Sequence, residues 1–346
     1  GLIDVSLSIH KFPSTICRTP RTLLKYNDFK ASELRCTLLF GFASFSMYLP
    51  HKYCRHLLLL VVLAHLCESK STSSDQTLNI KRLANEFIYQ FPLLYGDRQN
   101  VISIHTIMHL PESVVNFGGV YNYSTFNFES YLGTLTSAVH GTRRHALEVQ
   151  TNLKLLRLSA VYINRKTFNC RLGRFIKKIQ PHIQNNQLFS SEQPLQFKKI
   201  VNDNDEVENI RSIVGDAVKL YKTIIHNDKR FTIVTCQANG NRNDSCILYK
   251  VSKKVRVGFI TSIIEISSNE KSCVLQVRDA PVNRYLTINV NGTKIICSNV
   301  MFSKAEQTHS YFFVKLNDIV EKLVHVFDNP SKTFILIRFP NMMESS

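Results

Sequence analysis

The sequence predicts an α+β chain: a mainly α-helical N-terminal region followed by a small β-rich, barrel-like C-terminal domain. Three observations lead there. Apolar residues recur at helical spacing as far as about residue 160. After about residue 200 short runs of β-branched and aromatic residues replace that period. Asn291-Gly292, between two such runs, is the strongest hairpin signal in the chain.

The helical elements come first. Residues 1–28 are mixed. Asp28 is expected to cap a helix through FKASELRCTLLFGFAS, where Leu34, Leu38, Phe42 and Phe45 lie at helical spacing, and Pro50 closes it. A second helix is expected over 51–67. Its apolar run, Leu57 to Cys67, is far shorter than the roughly 20 residues a membrane span needs. It is bracketed by His51, Lys52, Arg55 and Glu68, so it reads as a buried core helix. Ser73 with Gln76 fits a capping box for a helix over 74–91, with Leu83, Phe87 and Phe91 as its buried stripe. A short helix over 101–109 is expected to stop at Pro111. Further helices are expected from near Asn127 and from Thr142 onward.

The strands follow. They are expected at 231–236, 246–251, 255–266, 272–279, 285–290, 294–300 and 311–316, with a turn near Ser252 and Lys253. A helix over 317–327 and a strand over 333–339 complete the pattern. The expected division is a helical domain (1–160), a basic connector (161–200) and a β-rich domain (201–346).

Composition narrows the function classes. The 346 residues carry 43 Lys+Arg against 26 Asp+Glu, a formal charge of +17, with 44% apolar and 20% charged residues. That is globular material, and its charge points to a polyanion partner rather than to acidic-ligand or Ca²⁺ buffering. Residues 161–200 hold eight Lys and Arg against the single acid Glu192, a net +7. Within them Arg165 and Lys166 precede Arg171, Arg174, Lys177 and Lys178, and Arg171, Arg174 and Lys178 share a helical face. Duplex DNA or RNA contact and a solvated linker both fit this pattern, and a nuclear-import signal fits the same residues. Arg143 and Arg144, between His140 and His145, fit either a second phosphate-contact cluster or a solvated face.

Nine cysteines, an odd number without any C-x-x-C pair, read as reduced thiols of an intracellular protein. The N-x-S/T sequons at Asn122, Asn243 and Asn291 read as chance matches. His105 and His109 lie four apart, but Thr106 stands where a zinc-protease motif needs Glu, so a core or capping role is expected for the pair. The P-loop, the dinucleotide fingerprint and the nucleophile elbow are all missing. Glu129 lies early in an expected helix inside an aromatic run. A metal-binding or general-base carboxylate and an ordinary helix-start acid both fit it.

Several motifs occur in a recognisable order. Residues 109–149 contain His109, Leu110, Val114, Phe117, Gly118, Ser124, Phe126, Phe128 and Glu129 in the pattern H-L-x-x-x-V-x-x-F-G, an aromatic-serine step and F-x-F-E. Upstream stand Arg18-Thr-Pro-Arg21, Phe29-Lys-Ala-Ser-Glu-Leu-Arg35, Tyr95-Gly96 and His105. This block resembles the uncharacterised domain that follows the catalytic core in CACTA (En/Spm-type) transposases, in its animal form. Phe29 replaces the usual tryptophan and Ser103 the usual asparagine. The likeness covers about residues 1–160.

The resemblance implies a nuclear, DNA-associated, transposable-element-derived protein. Such transposases resemble RNase H-like enzymes, in which two aspartates and a glutamate hold two divalent ions for DNA strand transfer. It matches Glu129 to that catalytic, metal-binding glutamate. It places both aspartates upstream of Gly1, so the chain is expected to be catalytically incomplete, with Mg²⁺ needed only when joined to an intact core. DNA is the expected partner, with Arg143, Arg144 and the connector cations as contacts and no membrane. The alternative is a non-catalytic module whose β-rich part binds a protein or chromatin partner.

Overall fold

A computed structural model describes residues 1–16, 18–69, 73–125, 132–133, 136, 139, 145–163, 195–201, 210, 212–213, 218–226, 229–236, 242–266, 272–307 and 310–340. The chain divides into two compact units: Gly1–Asn122 together with Pro194–Ser346, and Tyr123–Gln193. Among the described residues the second unit contains the helix His145–Ile163, labelled α8 below.

The first unit is α+β, with helices before strands as expected. Its helices are α1 (Leu2–Ser8), α2 (Ala31–Phe40), α3 (Phe42–Ser46), α4 (His51–Cys67), α5 (Ser74–Tyr95), α6 (Ile102–His105) and α7 (Leu110–Phe117). The Ser73 hydroxyl accepts from the Gln76 N–H at 3.2 Å and starts α5 as expected. Two helix starts differ from expectation. Lys30, not Asp28, occupies the N-cap of α2, because the Glu33 carboxylate reaches back to accept the Lys30 N–H at 3.0 Å. Pro111 does not end a helix. It sits in the first turn of α7, where a missing N–H leaves no bond unmade.

The strands are β1 (Gln196–Ile200), β2 (Val218–His226), β3 (Lys229–Thr232), β4 (Cys246–Val251), β5 (Lys254–Ile266), β6 (Ser272–Asp279), β7 (Arg284–Val290), β8 (Thr293–Lys304), β9 (Tyr311–Lys315), β10 (Ile319–Lys322), β11 (Val324–Asp328) and β12 (Thr333–Ile337). They form two antiparallel sheets: β1-β2-β5-β4-β10 with β3 on β2 and β6-β9 on β5, and β11-β12-β8-β7. The barrel-like expectation is corrected here: neither sheet closes among the described residues. The tight turns are as expected. Ser252-Lys253 (φ 50° and 66°) and Asn291-Gly292 (φ 47° and 80°) both take left-handed backbone, as the twist of a two-residue hairpin demands.

The expected helix at 317–327 is instead β10 and β11. Lys322 and Ile247, and Val326 and Ile335, are registered pairs across adjacent strands, so sheet pairing overrides the local helical pattern. Strands β1 and β2 were not anticipated, and β3 only at its end.

One hydrophobic core joins helices to sheet. Leu59, Val61, Val62 and Leu63 of α4 pack among Leu39 and Phe40 of α2, Ile80, Leu83 and Phe87 of α5, and Ile288, Val290, Ile295 and Cys297 of the four-stranded sheet. This bears out α4 as a buried core helix, and no helix among the described residues is long and apolar enough to cross a membrane. The larger sheet buries Ile224, Ile247, Tyr249, Ile263, Leu275 and Val314 on its own. Cys246, Leu248, Val257 and Phe259 then meet Met301 and Leu336, which locks the sheets together.

Gly258 lies where strands crowd closest. A Cβ there would sit 2.5 Å from the Arg278 carbonyl oxygen and 2.6 Å from a Val277 methyl. Gly258→Ala is therefore expected to destabilise the fold by about 1–3 kcal/mol. Urea unfolding should show a lowered midpoint at constant slope, and an unchanged midpoint refutes the crowding.

Candidate functional site

The site residues expected from sequence fall outside the described residues. This holds for Glu129, Arg143, Arg144, Arg165, Lys166, Arg171, Arg174, Lys177 and Lys178. The upstream motif residues are described, and they hold structure together. Both carboxylate oxygens of Glu33 accept from Arg21, at 2.7 and 2.9 Å, so the R-x-P-R stretch is tied to the K-A-x-E-x-R stretch. Arg35 of the latter pairs with the Glu68 carboxylate at the end of α4, Nε to Oε1 at 2.8 Å. His105 and His109 lie with ring centroids 5.4 Å apart, edge to face, and both are exposed, so the expected core role is corrected.

Mg²⁺ wants several oxygen ligands converging in octahedral geometry. The buried carboxylates described are committed elsewhere: Glu33 to Arg21, Glu68 to Arg35, Asp244 to Lys322 and Arg230, Glu265 to the Tyr221 hydroxyl, Asp279 to Arg256 and Glu321 to Arg338. No three His, Cys, Asp or Glu converge among the described residues. The described residues therefore do not by themselves fit such an ion. The described cysteines are free thiols. Burial pushes Cys67, Cys273 and Cys297 up to about 12, which leaves them inert as nucleophiles.

Among the described residues, one concave feature with convergent charge lies at the rim of the contact between the sheets. The Ser252-Lys253 turn starts β5 and sets Lys254 and Arg256 two apart, on one face of the strand. The end of β6 brings Asp279, the following turn Ala280, Pro281 and Val282, and β7 brings Tyr285. Ser298 and Met301 come from β8, and Arg338 from just past β12. Together these residues line a cleft of about 430 Å³.

Two of its three cations are anchored from behind. The Arg256 Nη1 donates to Asp279 Oδ2 at 2.8 Å, and the Tyr249 hydroxyl donates to the other oxygen at 2.8 Å. The guanidinium also lies 4.8 Å over the Phe312 ring. Burial, then the bond to Asp279, raises the Tyr249 phenol well above its usual range, so it remains a donor. The Arg338 Nε donates to Glu321, and its backbone N–H donates to the Asn299 carbonyl at 2.8 Å. Each arginine thus spends one nitrogen on a buried carboxylate and keeps the rest of its donor fork for another acceptor. Lys254, exposed, makes no ion pair among the described residues.

The basic strand pair around Lys250–Arg256 is legible in the sequence, and the cleft is not. Its residues are scattered from 248 to 338, and only the alternation Lys254–Arg256 could have hinted at a charged strand face. A smaller hollow of about 190 Å³, lined by Thr15, His226, Lys229 and Phe231 among others, lies beside Lys322. No protein-family model, curated protein or solved structure matches the chain.

Proposed function

We propose that this is a nuclear, DNA-associated, transposable-element-derived protein that resembles the C-terminal part of a CACTA-type transposase. The observation that carries the reading is the ordered run of motifs from Arg18 to Glu129, followed by a connector with eight cations and one acid. Phosphate contacts by such cations release counterions, which makes binding steeply salt-dependent. The anchored arginines of the cleft are consistent with a polyanion partner. Glu129 is assigned as the counterpart of the transposase glutamate, a role that needs partner carboxylates.

Fluorescence anisotropy with duplex DNA tests the reading. Binding is expected at about 50 mM salt and should be largely lost by about 0.5 M. Neutralising Arg171, Arg174, Lys177 and Lys178 to Gln should flatten the logarithmic salt slope by up to about four. Absence of binding at low salt, or tight binding that ignores salt, would sink the electrostatic reading.

A separate observation favours the second reading, a module whose β-rich part binds a protein or chromatin partner. Ile296 of β8 and Tyr311 and Phe313 of β9 expose large apolar side chains. Tyr311→Ser with Phe313→Ser is expected to abolish nuclease-resistant capture of a protein partner while leaving DNA binding intact. Equal capture by this variant removes the second reading.

A further inference from the structure

We propose that the cleft between the two sheets is a binding site for a nucleoside phosphate. The inference deepens the DNA-association reading, on which it rests only for the source of that nucleotide.

Charge comes first. Arg256 is balanced by Asp279 and Arg338 by Glu321, while Lys254 has no carboxylate partner among the described residues. The cleft therefore keeps one positive charge in excess and selects an anion. The two guanidinium groups are already oriented by buried carboxylates. They do not have to be ordered when a ligand arrives, and their planar forks suit phosphate oxygens. Size and lining come second. A volume of about 430 Å³ exceeds what a bare phosphate fills and falls within the range of small-molecule sites. Apart from Ser298 and Asp279, whose carboxylate is taken up by Arg256 and Tyr249, the remaining wall is apolar, from Val257, Pro281, Val282 and Met301. At its mouth Tyr285 is 43% exposed, so its ring is open to stacking. A ligand with a phosphate at one end and a flat ring at the other matches both halves. A peptide carboxylate satisfies only the charged half.

Calorimetry on the full chain with Arg171, Arg174, Lys177 and Lys178 changed to Gln, so that the connector does not itself hold the oligonucleotide, tests this with dTMP and with a short oligothymidylate. Both are expected to bind, and dTMP should displace the oligonucleotide. An oligonucleotide that binds much more tightly than dTMP identifies a single strand as the source; equal affinity identifies the free nucleotide. Lys254→Gln with Tyr285→Ala changes two exposed side chains, so the melting temperature should hold while nucleotide affinity falls about tenfold or more. Arg256→Lys keeps the charge beside Asp279 but loses the fork, and should weaken dTMP as well. Failure of millimolar dTMP and the oligonucleotide to bind overturns the proposal. So does unchanged affinity in the Lys254/Tyr285 variant, or tighter binding of a peptide with a free C-terminal carboxylate than of dTMP. The connector variant separates the two readings. If wild-type protein ignores duplex DNA but binds dTMP through Tyr285, the DNA reading fails and the cleft stands. If duplex binding is lost with the connector cations and dTMP never binds, the cleft fails alone.

Discussion

Asp244→Asn is expected to cost about 3–5 kcal/mol, the range for breaking a buried ion pair from one side. The Asp244 side chain is 0% exposed and that of Lys322 is 3% exposed, and they meet at 2.8 Å. The same Asp244 oxygen accepts the Ser14 N–H at 2.7 Å and the Ser14 hydroxyl at 2.9 Å, and the other oxygen accepts Arg230 Nε at 2.7 Å. Lys322 also donates to the Arg230 carbonyl at 2.8 Å. Burial alone would raise the Asp244 carboxyl, but Lys322, Ser14 and Arg230 hold it below the usual carboxylate range. Asn keeps at most part of this bonding and leaves the Lys322 ammonium buried without its counter-charge. The loss should begin at the N-terminal segment, because Ser14 is held by this carboxylate and Lys11 by backbone bonds to His325. Limited proteolysis should cut near residues 11–16 sooner in the variant. Adding Lys322→Met should recover much of the lost stability, since an apolar replacement removes the stranded charge. A single variant that unfolds within 1 kcal/mol of wild type would show that the pair does not hold the segment.

The network also shows what a linear reading can and cannot reach. The ends of α4 and α5's start were legible because a bounded apolar run and a Ser-x-x-Gln cap are local signals. The two hairpins were legible because left-handed turn residues sit between alternating strands. What stayed hidden depends on distant partners. Ile319–Asp328 has enough helical spacing to pass for a helix, and only pairing with β4 and β12 makes it strand. The cleft is assembled from β5, β6, β7, β8 and the end of β12, so no window of sequence contains it. The helical and β-rich stretches look like separate domains in composition, yet Leu63 of α4 and Cys297 of β8 belong to one core. Conversely, the connector cations are legible by charge alone, and their assignment to DNA is a proposal that binding data must judge.

Acid should weaken the fold well before its carboxylates titrate, and three histidines are the reason. His10 is fully buried, with Nε2 2.7 Å from the Ser44 hydroxyl. His65 bonds the Leu39 carbonyl through Nε2 at 3.0 Å. His325 stands edge-on to Phe259 with ring centroids 5.2 Å apart. In all three, Nδ1 is buried and has no hydrogen-bond partner among the described residues. Burial lowers His10 and His65 to about 4, in His65 against the opposing pull of Leu39 and Glu68. Burial, with Lys11 and His10 nearby, lowers His325 to about 3. The unfolded chain takes up these protons near pH 6.5 and the folded chain does not. Stability should therefore be flat above that pH and fall as the pH drops from about 6.5 towards 4. The loss approaches about 3 kcal/mol per histidine at the acid end, against a total stability of about 5–15 kcal/mol. The Asp244 contribution behaves differently: its carboxyl is depressed, so its share is retained until the pH falls below about 4. Urea midpoints measured across this range should resolve the two windows. His65→Gln keeps a donor for the Leu39 carbonyl but cannot titrate, so its stability should change less between pH 6.5 and 4.5 than that of the wild type. Equal slopes in the two proteins, or a wild type as stable at pH 5 as at pH 7, would show that these rings do not control the acid limb.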